Sequence, residues 1–215
     1  TGNNRHLMRI CLIVTAYKRP EITRICYTGI QRLRKEAMAE DIELISVIGA
    51  SNHADMGVAG EFGFDRIMID NRPLGRKHNE LMRYADRRYR PDYFMQLGSD
   101  DLLVKGFWKT EKLVWHLQHR TPIFGFNSLL FYNYNTGEVK RVNRYLQGFG
   151  AGRFILADTA RVFSCALWTP EKESDLDKDS AKRISTHLGM HQGRMRIIGH
   201  GKSDPTYSVL DIKSG

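Results

Sequence analysis

Cysteine is scarce in this chain: Cys11, Cys26 and Cys165 are the only three in 215 residues. An odd, widely spaced set excludes a disulfide framework and offers no zinc-binding spacing, so the three read as buried thiols in a reducing compartment. Long apolar runs are missing as well. The longest, Ile10-Cys11-Leu12-Ile13-Val14, is strand-sized and far short of the ~20 residues that cross a bilayer. Behind Thr1-Gly2-Asn3-Asn4-Arg5-His6 there is no apolar segment with a small-residue cleavage site. No signal peptide is therefore expected, and the missing initiator Met points to a processed start. There is no internal repeat, low-complexity tract or linker, so residues 1–215 read as one cytoplasmic domain.

Negative charge is the remaining shortage. Lys and Arg number 33 against 24 Asp and Glu, giving a net charge of +9 and a pI near 9.6. That balance favours an anionic partner: nucleic acid, a phosphorylated metabolite or a membrane surface. With 41% hydrophobic and 10% aromatic residues, the chain can build a core, which excludes global disorder.

What is present is patterned. Ile10 to Val14 predicts a strand buried on both faces, as in a parallel sheet. Pro20 suits the first turn of a helix, and Ile22, Ile25, Cys26, Ile30 and Leu33 recur at helical spacing from Glu21 to about Met38. Glu43 to Ile48 predicts a second strand, closed by Gly49-Ala50-Ser51-Asn52, and Arg66 to Ile69 a short third. Leu74-Gly75-Arg76 opens a helix with Leu81, Ala85 and Tyr89 on one face; Pro91 stops it, and Tyr93 to Leu97 is a fourth strand. This order, β-α-β-β-α-β, predicts a mixed or parallel α/β sheet flanked by helices. Its loops after strands one, two and four share the edge where such sheets bind ligands. Further on, Ile123 to Tyr132 and Glu138 to Val142 flank a turn at Asn133-Tyr134-Asn135-Thr136-Gly137 and predict a β-hairpin. Gly148-Phe149-Gly150-Ala151-Gly152 reads as a mobile loop or tight turn. Helices are expected after Asp158 and over about Asp177 to His187, with strands near Met195 to Ile198 and Tyr207 to Ile212.

The most informative segment is Gln96-Leu97-Gly98-Ser99-Asp100-Asp101-Leu102-Leu103. Two adjacent carboxylates directly after a buried strand are costly unless something positive neutralises them. A hard divalent cation, Mg²⁺ or Mn²⁺, bound to a carboxylate and to substrate phosphates would do so. The bland alternative is a solvated turn.

Four segments in this order resemble the GT-A nucleotide-sugar glycosyltransferases, particularly the large family 2 type. Ile13-Val14-Thr15-Ala16-Tyr17-Lys18-Arg19 is similar to that family's first strand and nucleotide loop. Leu74-Gly75-Arg76-Lys77-His78-Asn79 resembles its helix start with a Gly followed by an Asn, here with three residues between them, and Gly98-Ser99-Asp100-Asp101 its D-x-D-D metal motif. Leu176-Asp177-Lys178-Asp179-Ser180-Ala181-Lys182-Arg183-Ile184 resembles its late acidic motif. Three positions depart from the pattern. Gly98 replaces the first Asp, Gly49-Ala50-Ser51-Asn52-His53 lacks the family's acid for a uracil ring, and Leu176 stands where Glu is usual.

The resemblance implies a GT-A mixed sheet with an acceptor-side hairpin and helices, residues 1–103 binding the nucleotide-sugar and 104–215 the acceptor and base. It implies a UDP-sugar donor and Mn²⁺ or Mg²⁺. Thr15, Ala16 and Tyr17 would hold the nucleoside, Arg19 its phosphates or ribose, and Asn52 the base edge. Gly75, Arg76 and Asn79 would meet the diphosphate or sugar at a helix N-terminus. Asp101 would ligate the metal, with Asp100 beside it and His200 as a third ligand. Asp177 would be the catalytic base of an inverting transfer, with Asp175 and Asp179 as rivals.

Diphosphate binding needs only two or three cations. Arg83, Arg87 and Arg90 line one side of a helix opposite its apolar stripe. Lys140, Arg141, Arg144 and Arg153 interleave with Phe131, Tyr132, Tyr134, Tyr145 and Phe149, a mixture that suits nucleic-acid backbones and unstacked bases. The bland readings are a solvated helix face and core packing. Three functions stay open: transfer to a saccharide or lipid-linked acceptor; transfer to a hydroxymethylated base in DNA, as in phage modification enzymes acting in the host cytoplasm; and a nucleic-acid-binding module that merely retains the fold.

Overall fold

A computed structural model describes residues 7–143, 149–189, 196–198 and 209–213. The first half alternates strand and helix: β1 (Met8–Ala16), α1 (Pro20–Met38), β2 (Ile42–Ala50), α2 (His53–Glu61), β3 (Asp65–Met68), α3 (Leu74–Tyr89) and β4 (Tyr93–Gly98). The second half is β5 (Asp101–Leu103), a 3-10 turn at Phe107–Lys109, α4 (Glu111–Gln118), β6 (Ile123–Phe126), β7 (Ser128–Asn133), β8 (Val139–Asn143) and β9 (Arg153–Leu156). It continues through α5 (Ala157–Val162), α6 (Leu176–His187), β10 (Arg196–Ile198) and β11 (Val209–Lys213).

Two sheets result. The larger has the order β10-β6-β9-β4-β1-β2-β3 and the smaller β5-β11-β7-β8. The run Ile10 to Val14 lies at the centre of the large sheet, parallel to β2 and β4 on either side. Alternate side chains of β1 serve different layers. Leu12 and Val14 join a core with Tyr27, Ile30 and Leu33 of α1 and Leu113 of α4. Cys11 and Ile13 join another with Leu81 and Ala85 of α3 and Ile184 of α6. A strand that feeds apolar cores on both faces must be continuously apolar, which is why this run carries no polar residue. Cys11, Cys26 and Cys165 are all buried and free.

Three features differ from the sequence-based expectation. The connection between β2 and β3 is a helix, α2, so the first half is a full strand–helix alternation. Ala54-Asp55-Met56-Gly57-Val58-Ala59-Gly60 has no apolar stripe and two glycines, so neither periodicity nor propensity announces it. Asn52 starts it by accepting the Asp55 N–H at 2.8 Å, a side-chain cap for an otherwise orphaned donor. The segment expected as one strand from Ile123 to Tyr132 is two, because the chain leaves the large sheet at Asn127 and enters the small one at Ser128. The hairpin itself is present, with Ser128 opposite Asn143. Finally, Arg153 to Leu156 forms β9, antiparallel to both β4 and β6, and makes the sheet mixed. Among the described residues no helix is long and apolar enough to cross a membrane.

Candidate active site

The parallel strands β1, β2 and β4 deliver their C-terminal ends to one edge of the sheet, and two contiguous clefts open there. One, of about 480 Å³, is lined by Tyr17, Lys18, Arg19, Asn71, Lys77 and Asp100 among others. The second, of about 360 Å³, is lined by His78, Gln96, Asp101, Gly150, Asp175 and Asp177 among others. Thr15 and Gly98 line both.

Three buried carboxylates, Asp100, Asp101 and Asp211, bring oxygens within 4.8 Å of one another at this edge. β5 pairs antiparallel with β11 so that Asp101 faces Asp211 across the ladder. Arg19 approaches the Asp100 Oδ2 at 2.9 Å, and Lys213 reaches the same oxygen at 3.3 Å and the Asp211 Oδ1 at 2.7 Å. Asp101 instead accepts the Gly98 N–H at 2.6 Å. Burial, reinforced by Asp211 and Asp100, pushes its carboxyl up to about 8. Burial also raises Asp211, against the pull of Lys213. With all three acids ionised, Arg19 and Lys213 leave one negative charge uncompensated, and that repulsion adds to burial in favouring the protonated form of Asp101. The donor set is all oxygen, so the cluster fits a hard divalent ion. Gly98 has a steric reason: a Cβ there would lie 2.7 Å from oxygens of both Asp100 and Asp101. The carboxylates fold over the position where an acid was expected by resemblance.

Asp177 sits at the start of α6 on the other wall of the smaller cleft, accepting the Gly150 N–H at 2.9 Å. Arg153, fully buried beneath it, donates to the Asp177 carbonyl at 3.1 Å and to Ser180 Oγ at 2.8 Å. Asp175 lines the same cleft with its backbone in the left-handed region. Asp179 points elsewhere. It accepts the Thr169 N–H at 2.6 Å and hydroxyl at 3.1 Å, with Lys172 at 3.4 Å. Burial opposes its charge, but those donors and Lys172 outweigh it and hold the carboxyl below its ordinary value.

The remaining expected residues divide. Thr15, Tyr17 and Arg19 line the larger cleft. Ala16 is buried, and its carbonyl accepts the Lys77 ammonium at 2.9 Å. Lys77, 1% exposed, also donates to Ser51 Oγ and Asn71 Oδ1, and burial lowers it to about 8. Asn52 is occupied as a helix cap and donates from Nδ2 to Asp55 at 2.7 Å. Asn79 is 1% exposed; its amide accepts the Trp168 N–H and donates to the Trp168 carbonyl. Asn79 thus fastens α3 to the segment before α6. The start of α3 is similarly enclosed. The Gly75 and Arg76 N–H groups donate to the Lys172 and Pro170 carbonyls, and a Cβ on Gly75 would lie 2.1 Å from the Thr169 carbonyl oxygen. The backbone of the helix start closes against protein here; Leu74 and Lys77 line the larger cleft and His78 the smaller, while Arg76 is exposed and lines neither.

Of the basic patches, Arg87, Arg90 and Lys140 are exposed. Arg83 donates to the Ser164 carbonyl and Arg141 to Ser128 Oγ. Arg153 does not belong to a surface patch: it lies on β9 with 0% exposure. A charge in a short strand looks like surface in the sequence and is interior here because α6 covers it. Arg144 and His200 lie outside the described residues. Asp211, Lys213 and Asp55 escaped the sequence reading. Asp211 had one signal, a lone acid inside Val209-Leu210-Asp211-Ile212. Asp55 is buried and accepts the Lys18 N–H at 3.2 Å, placing a carboxylate behind the loop after β1.

Neither a family model nor a curated protein matches this chain. Solved structures do. S. aureus TarS residues 1–349 superpose with a TM-score of 0.61 at 11% identity, over 95% of this chain and 60% of that one. Its complex with UDP-GlcNAc gives 0.60 at 12%, over 97% and 59%. The mannosyltransferase PcManGT from Pyrobaculum calidifontis, in complex with GDP-Man and Mn²⁺, gives 0.59 at 9%, over 98% and 58%. The fold is that of the GT-A glycosyltransferases. The chain spans about three-fifths of these neighbours' length, and at such identities the likeness is one of fold. On this frame Asp101 of β5 and Asp177 of α6 line one cleft, and Asp211 of β11 clusters with Asp101 and Asp100.

Proposed function

We propose that this chain is a metal-dependent, inverting glycosyltransferase that moves a sugar from a nucleotide-diphosphate sugar, a UDP-sugar by preference, to an acceptor hydroxyl. The observation that carries the reading is the convergence of Asp100, Asp101 and Asp177 on adjoining clefts at the C-terminal edge of a GT-A sheet, with Asp211 clustered against the first two. Thr15 and the exposed Tyr17 hold the nucleoside in the larger cleft, with Arg19 and Arg76 near its phosphates. Asp100, Asp101 and Asp211 would hold Mn²⁺ or Mg²⁺, which would supply positive charge to offset that of a departing diphosphate.

Asp177 accepts the proton of the acceptor hydroxyl as its oxygen attacks C1 of the sugar. The new C1–O bond forms as the C1–O bond to phosphate breaks, and the electron pair leaves with the diphosphate. One displacement inverts C1. Asp175 lies in the same cleft but is exposed, whereas Asp177 is held by the Gly150 N–H and anchored through Arg153, so Asp177 is the base. Asp179 is a structural acid that ties Thr169 to α6. A DNA acceptor drew its support from basic patches that have lost Arg153 to the interior, and it is not carried forward.

The test is incubation with Mn²⁺ and UDP-glucose, UDP-GlcNAc or GDP-mannose, with release of nucleoside diphosphate followed by NMR. Mn²⁺-dependent release from one donor is expected. Failure of all three either to react or to raise the melting temperature in the presence of Mn²⁺ overturns the reading.

A further inference from the structure

Where the face of the sheet packed by α3 and α6 meets the smaller cleft, the apolar layer ends in two polar side chains without an obvious job. Gln96 follows Phe94 on that face of β4, the one polar residue in Tyr93-Phe94-Met95-Gln96-Leu97. His78 projects from α3 and packs against Trp168, the rings tilted at 36° with centres 4.9 Å apart. Each is 8% exposed, and both line the cleft that also holds Asp101 and Asp177. Gln96 Oε1 and His78 Nδ1 are buried and have no hydrogen-bond partner among the described residues. Buried polar atoms left unpaired are uncommon and costly in native proteins, and a leucine at Gln96 or a phenylalanine at His78 would suit this layer better if packing were the only demand.

We propose that His78 and Gln96 hydrogen-bond hydroxyl groups of the donor's sugar and set which sugar is accepted. The proposal rests on the glycosyltransferase reading above and adds the residues that read the sugar. Three features point to a sugar. The cleft adjoins the nucleotide cleft through Thr15 and Gly98, with Asp101 in its wall, which is where the group attached to a metal-held diphosphate must lie. Its volume of about 360 Å³ is ample for one hexose. The pair is also uncharged, an amide beside an imidazole kept neutral by burial and by Lys77. It therefore offers donors and acceptors suited to hydroxyls and no positive charge suited to phosphate. A site whose buried polar groups need a substrate hydroxyl rejects analogues that lack it.

The experiment is isothermal titration with Mn²⁺ of the whole chain and of Gln96→Leu and His78→Phe. The probes are UDP, UDP-glucose and UDP-GlcNAc, then GDP and GDP-mannose. In the unsubstituted chain one nucleotide-sugar is expected to bind about tenfold tighter than its own nucleoside diphosphate. Each variant should lose that increment while its affinity for the nucleoside diphosphate stays within about twofold. Gln96→Leu should melt no lower than the parent, because it removes an unpaired amide; if it fails to fold, Gln96→Met carries the same expectation. Variants that keep the sugar increment overturn the proposal, and so does a parent that binds sugar and nucleoside diphosphate equally. Both results leave the glycosyltransferase reading standing. A parent that binds none of the five probes overturns both.

Discussion

Asp100 and Asp101 follow the end of β4, a buried strand parallel to β1 and antiparallel to β9, whereas Asp211 reaches the same cluster on β11, which pairs antiparallel with β5 and parallel with β7. The first half of the molecule repeats a strand–helix unit and presents its ligand groups at strand ends. The second half contributes single side chains through long-range pairings: Asp211 on β11, Arg153 on β9 inserted between β4 and β6, and Asp177 on α6. On the proposed function, the regular half would supply the nucleotide platform, and the irregular half the catalytic base and its supports. The comparison can be broken at each of these side chains.

Asp177→Asn is expected to have the largest effect. Removing the base should lower the transfer rate by about 10²–10⁴-fold while leaving affinity for the nucleoside diphosphate unchanged, measured by NMR turnover beside calorimetry. Asp179→Asn is its control: it should lower the melting temperature by loosening Thr169 and cost less activity. If the two variants exchange these phenotypes, the base is misassigned. On the metal wall, Asp211→Asn should weaken Mn²⁺ binding by about 10–100-fold, the range for removing a supporting group at a metal site, read by the Mn²⁺ electron paramagnetic resonance signal. Unchanged affinity would leave the metal to the first half alone.

What could be read from the sequence follows the same division. β1, α1, β4 and the paired acids are local patterns: an apolar run, a Pro-started amphipathic helix, carboxylates after a strand. They needed no knowledge of what lies opposite. Arg153 and Asp211 became interpretable only once strand pairing placed them, because a single charge in a short strand has the same local appearance whether covered or exposed. Asn52 and Asn79 show the opposite limit. Their spacing fits ligand-binding motifs, yet each is occupied by backbone, one capping α2 and the other clamping Trp168. α2 was hidden because its stability comes from a cap and from packing rather than from periodicity.

Gly75 joins the two halves. A methyl group there would press on the Thr169 carbonyl oxygen, and the carbonyls that close the start of α3 belong to the same 169–172 segment. Gly75→Ala should destabilise the fold by about 1–3 kcal/mol, the usual cost of forcing an extra carbon into a packed contact, measured by urea denaturation. A neutral result would mean that the 169–172 segment yields easily and that the closed helix start is not rigid.

The last effect is a slope in pH. Asp101 has its carboxyl raised from 3.8 to about 8 by burial and by the neighbouring acids. Between those values the unfolded chain has lost the proton and the folded chain keeps it. Folded protein therefore binds more protons, and stability falls as pH rises from about 4 to about 8, then levels. Asp101→Asn removes the titration, so its melting temperature in chelator should rise relative to the parent across that window, with the gap widest near pH 8. The difference between the two proteins isolates Asp101 from every other titrating group. Saturating Mn²⁺ should flatten the parent's slope, since a divalent cation among the three carboxylates removes the repulsion that raises the carboxyl. A gap that stays constant with pH would mean that Asp101 is already ionised in the folded chain. Three ionised acids would then stand against Lys213 and Arg19, and the leftover negative charge would be tolerated without a metal.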